Sequence, residues 1–123
     1  MLDGTELNPE IRTMTHHEID QVSLEIARRV AARLRSDPQL LQLARDNLAR
    51  WLNRNGSVPA LRRSYEEWQG ILERPLDEIC ARLTAPTDDG QRLRQNSPFA
   101  GVLAPAEIWE IKRHFRHHAT TAA

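Results

Sequence analysis

The residues able to do chemistry are few and scattered. Five histidines occur: His16, His17, His114, His117 and His118. His114 and His118 are four apart, so one helix face could turn both toward a metal ion. A metal centre needs three or four ligands at fixed geometry, and no second paired motif supplies the rest. Solvated imidazoles at a helix C-terminus, where partial positive charge is favoured, are the plainer reading. Cys80 could act as a nucleophile if a neighbouring base lowered its pKa. Its spacing to Leu76 and Leu83 places it on an apolar stripe, which suits a core thiol better. Glu66-Glu67 and Asp88-Asp89 invite an acid–base reading. Adjacent helical residues point about 100° apart, so neither pair converges on one substrate. The five glycines never cluster, and a phosphate-cradling loop is absent. These observations predict no catalytic residue, no metal, no cofactor and no small-molecule substrate.

Arginine dominates the cations. Of 17 basic residues only Lys112 is a lysine. Arginine suits bidentate contacts to carboxylate and phosphate, although a GC-rich coding sequence gives the same bias. Arg28, Arg29, Arg33 and Arg35, or Arg45, Arg50 and Arg54, could track a nucleic-acid backbone, and a helix-turn-helix would place its second helix in a groove. The net charge is zero, whereas a nucleic-acid binder usually carries a basic excess. The candidate second helix is also rich in Leu and Trp and reads as core. A DNA-binding regulator is therefore the alternative reading, behind a protein partner.

The elements that must position these groups are helical. Thr15 and Glu18 form a capping box, after which Ile19, Val22, Ile26, Val30 and Leu34 recur at helical spacing with Ala27 beside them. Asp37-Pro38 closes that helix and opens another, Gln39 to Arg54, with Leu40, Leu41, Ala44, Leu48, Trp51 and Leu52 in a stripe and Leu43 outside it. Asn55-Gly56 suggests a left-handed cap. A third helix runs from Val58-Pro59 to about Glu73, burying Leu61, Tyr65, Trp68 and Leu72, with Arg62–Glu66 and Arg63–Glu67 pairs outside. Leu76 to Leu83 is a fourth, Thr87 caps a brief fifth, and Pro105 begins a last one in which Ile108, Ile111 and Phe115 share a face. No segment alternates with period two. The prediction is an all-α compact bundle of five to six short helices with no sheet, spanning 15–118, after a lead-in at 1–14 and before a frayed tail at 119–123. At 123 residues, 40% apolar and 28% charged, one globular domain is expected. The single cysteine and the lack of any run of ~20 apolar residues or signal-like start suggest a reducing, cytoplasmic setting away from membranes.

One stretch departs from helical patterning: Arg92-Leu93-Arg94-Gln95-Asn96-Ser97-Pro98-Phe99-Ala100-Gly101-Val102-Leu103. Pro98 disfavours helix at Ser97, and a short apolar run then follows. Such a run either plugs the bundle or meets a partner. Arg92, Arg94, Gln95, Ser97 and Phe99 are the candidate partner-binding residues. Trp109 joins them, because it projects about 100° from Ile108 on the side of Arg113 and Arg116.

With Trp109 shortly after it, this stretch resembles a group of small all-helical, antitoxin-like proteins of bacterial toxin–antitoxin operons. Leu43-Ala44-Arg45-Asp46-Asn47-Leu48-Ala49-Arg50-Trp51, Trp68 ahead of Leu72, and Pro75-Leu76 extend the resemblance over most of residues 20–116. It implies a non-enzymatic protein that binds and neutralises a co-encoded toxin by covering its active site. Arg92, Arg94 and Gln95 would then offer donors and Phe99 an apolar anchor. An effector chaperone would have the same sequence character.

Overall fold

The computed structural model describes residues 15–122, with side chains described as far as Arg116; the predicted lead-in at 1–14 lies outside them. Six α-helices and one 3-10 turn follow in order: α1 (His16–Ser36), the turn Pro38–Leu40, α2 (Leu41–Asn55), α3 (Pro59–Leu72), α4 (Leu76–Leu83), α5 (Asp88–Arg94) and α6 (Pro105–Ala122). No strand occurs among the described residues, and the fold is the all-α bundle that the periodicity predicts. The backbone of α6 continues through 119–122, where the composition suggests a tail.

The central element is α1, against which α4, α5 and α6 all pack. Its start is the expected capping box: the Thr15 hydroxyl accepts from the Glu18 amide at 3.1 Å, and Glu18 accepts from the Thr15 amide at 2.8 Å. Two of the four orphan amides are thereby satisfied. Val22, Ala27, Val30, Ala31 and Leu34 are buried. Ile19, first on the predicted stripe, is instead 48% exposed.

Asp37 links the first two helices. Its amide donates to Arg33 O at 2.8 Å, closing α1, and its carboxylate accepts from the Gln39 amide at 3.3 Å. Pro38–Leu40 is wound as a 3-10 turn, so α2 begins at Leu41 rather than Gln39. The α2 and α3 helices form an antiparallel hairpin, with Trp51 against Tyr65 near its turn and Arg45 near the Leu72 carbonyl at its far end. Gly56 is right-handed (φ −65°), which corrects the expected left-handed cap. Glycine is needed there for space, because a Cβ would run into the Leu52 carbonyl oxygen.

Packing corrects three further details. Trp68 is buried, but Trp51 is only half-buried, since the hairpin turn leaves one side of it to solvent. Leu43 packs on the core rather than outside it, because the 99–103 loop extends the interior over that edge of α2. The Arg62–Glu66 pair forms at 3.2 Å, but Arg63–Glu67 does not: Glu67 is taken by Arg92 of α5 at 2.9 and 3.0 Å. The Thr87 hydroxyl caps α5 by accepting from the Gly90 amide at 3.0 Å. There the helix lies so close to the preceding loop that a Cβ on Gly90 would overlap the Ala85 oxygen.

Candidate functional site

The unpatterned stretch is held by side chains from two helices. Asn47, buried on α2, donates from Nδ2 to Pro98 O at 2.8 Å and to Ala100 O at 3.0 Å, and its Oδ1 accepts from Arg50. Two loop carbonyls are thus satisfied, of which that of Pro98 is buried. Trp68 of α3 donates from Nε1 to Leu93 O at 3.0 Å, and Phe99 stands edge-on to the Trp68 ring with centroids 5.6 Å apart, a favoured aromatic geometry. Phe99 is 4% exposed, and Val102 and Leu103 are buried with it. Gly101 has φ +96°, a conformation open to glycine, and turns the apolar run inward. Of the two fates left open for this run, the structure shows the plug. Asn47 is not among the residues that helical periodicity singles out. Its signal was there: a polar residue on the apolar stripe, three after Ala44 and four before Trp51.

The candidate residues divide. Arg92 is exposed and saturated by carboxylates, Glu67 at 2.9 and 3.0 Å and Asp89 at 2.7 Å. Its hydrogen bonds hold the Glu67 and Asp89 carboxyls below their ordinary range. Gln95 lies exposed at the end of α5. Arg94 turns inward, donating from Nη1 to Leu83 O at 3.2 Å and Ala85 O at 2.7 Å, so it ties down the carbonyls where α4 ends. Burial pulls its pKa below the ordinary arginine value, opposed by the charge of Asp20 and reinforced by Arg28. Its Nε is buried with no hydrogen-bond partner. Trp109 is 53% exposed.

Arg94, Ser97 and Phe99 come together in one place, a groove of about 340 Å³ between α1, α6 and the loop. Its walls are Val22, Ile26 and Val30 of α1 and Ile108 of α6, with Ile19 at one end. Arg94 and Lys112 are the two charged residues lining it. Arg92, Gln95 and Trp109 do not line it.

The remaining chemical groups are dispersed or engaged. Cys80 is buried, its Sγ 3.9 Å from Ala31 O, and burial pushes the thiol pKa up, away from the reactive thiolate. Glu66 and Glu67 bind Arg62 and Arg92 respectively and point apart. Among the described residues no three His, Cys, Asp or Glu side chains gather closely enough to hold a metal ion. The His118 side chain lies outside the described ones, so the His114–His118 spacing is not placed. No helix among the described residues is long and apolar enough to cross a membrane. Comparison with protein-family models, with curated proteins and with solved structures returns no match for this chain.

Proposed function

We propose that this chain is a non-enzymatic, antitoxin-like protein that binds a co-encoded toxin or effector and covers its active site. The observation that supports a binding role is Trp109: an indole 53% exposed on a helix whose neighbouring turns bury Ile111 in the core. Arg113, one turn further along α6, has no hydrogen-bond or ion-pair partner among the described residues. A solvent-facing Trp beside an unengaged Arg is the composition of an interface anchor. Arg92, Arg94 and Phe99 are engaged within the fold, so we assign the contact first to α6 and the groove it borders.

Co-purification of the native protein followed by mass spectrometry, with inspection of the adjacent genes, tests the reading. A neighbouring toxin-like gene product should be recovered. Trp109→Ala should weaken its capture by ~10-fold or more while melting stays unchanged, the scale of a hot-spot aromatic. Sequence-specific binding to its own promoter at physiological salt, without a protein partner, would favour the DNA-binding regulator instead.

A further inference from the structure

We infer that the α1–α6 groove is a docking site for an acidic amphipathic helix of a protein partner; the inference rests on the binding role proposed above and names where and what it binds. Shape is the first support. The α1 wall runs from Ile19 to Val30, about 16 Å at 1.5 Å per residue, or three helical turns. That length accommodates anchors at i, i+4 and i+7 of a docked helix, the usual spacing of helix-in-groove recognition.

Charge is the second support. The chain as a whole is neutral, but both charged residues lining the groove, Arg94 and Lys112, are cationic. Arg94 spends hydrogen bonds on backbone carbonyls, not on a carboxylate, and Lys112 has no partner among the described residues. Asp20 accepts from the neutral Gln91 amide at 2.7 Å, keeps its charge and acts on Arg94, so Lys112 is the unbalanced cation of the groove. An apolar trough with the exposed cation Lys112 on its lining and no lining carboxylate is complementary to an apolar stripe bordered by Asp or Glu.

The third support is where exposed apolar surface lies. Three large hydrophobic side chains are notably exposed among the described residues: Ile19, Val58 and Trp109. Ile19 ends the groove. Trp109 follows the groove residue Ile108 and stands about 60° around α6 from Lys112, just outside the rim. A helix seated in the groove would cover Ile19 and bring its outer edge to Trp109.

The test uses the full chain and three synthetic helical peptides: one with Leu at i, i+4 and i+7 flanked by Glu, a second with Lys replacing Glu, and a scrambled version of the first. Binding is read from isoleucine methyl shifts. The Glu peptide should give saturable shifts at Ile19, Ile26 and Ile108, with the Lys peptide roughly 10-fold weaker and the scrambled one silent. Lys112→Glu and Ile19→Asp, both at exposed positions, should each weaken the Glu peptide by about 10-fold at unchanged melting temperature. Equal binding of the Glu and Lys peptides, or shifts confined to residues outside the groove, would overturn the inference. So would contacts in the peptide-free chain between these methyls and residues 1–14, or a dimer seated on them, since the groove would then belong to the chain itself. Peptide binding without any recovered toxin sinks the antitoxin reading alone. Toxin binding indifferent to Lys112→Glu and Ile19→Asp sinks the groove alone.

Discussion

Two regions of this molecule carry the same residue types and do opposite things with them. In the stretch from Arg92 to Leu103, arginines and aromatics are turned inward or paired. Arg94 holds the end of α4, Arg92 bridges α3 and α5, and Phe99 meets Trp68 in the core. Across α6, Trp109 and Arg113 face solvent beside an open groove. Composition alone therefore does not separate an anchor from a plug. What separates them is whether the backbone around the residue must be satisfied from within. The loop carbonyls of Pro98 and Ala100 are met by Asn47, and that of Phe99 by the Val102 amide. The last helix satisfies its own backbone and leaves its outer side chains free of that duty.

The largest test of this contrast is Phe99→Ala. Removing a buried aromatic that packs on Trp68 should cost ~3–5 kcal/mol of unfolding free energy, measured by urea denaturation. A loss below 1 kcal/mol would mean that the loop does not belong to the core. Next is Asn47→Ala, which strands the Pro98 and Ala100 carbonyls. A loss of ~2–3 kcal/mol is expected in the same assay, from two lost bonds and incomplete rehydration. Gly90→Ala follows at about 1–3 kcal/mol, because the α5 start must move away from Ala85.

Trp109→Ala should change stability by no more than about 0.5 kcal/mol, as surface substitutions do. The smallest effect is pH-dependent. The Glu67 carboxyl is held below its ordinary range by Arg92, so the ion pair contributes fully above the unfolded carboxyl pKa. That contribution disappears as pH falls through the lower folded value. The gap in melting temperature between the parent and Arg92→Ala should thus be small at neutral pH and vanish in acid. A gap that grows on acidification would show that Arg92 is held by something other than these carboxylates.

Local chemistry was legible in the sequence, and long-range satisfaction was not. The Thr15–Glu18 box, the Asp37-Pro38 junction and α4 from Leu76 to Leu83 follow from residues a few positions apart. Glu67 illustrates the limit: Arg63 sits one turn away, yet Arg92 arrives from 25 positions later with two nitrogens and wins. Ile19 shows the same from the other side, since its place on the stripe was visible but not its 48% exposure among the described residues. The groove was not visible at all, because its walls are core residues of α1 and α6 whose exposure depends on how far apart those helices stand. Its cations, Arg94 and Lys112, carried no spacing that links them.

The Asn47 bridge also bears on how the chain assembles in time. Its two loop acceptors lie 51 and 53 residues away along the chain, whereas the α2–α3 hairpin closes through a three-residue turn. Closing long loops costs entropy before any contact repays it. The hairpin should therefore belong to the folding nucleus and the loop should dock late. In stopped-flow kinetics, Asn47→Ala would then accelerate unfolding and leave the refolding rate nearly untouched, while Tyr65→Ala slows refolding.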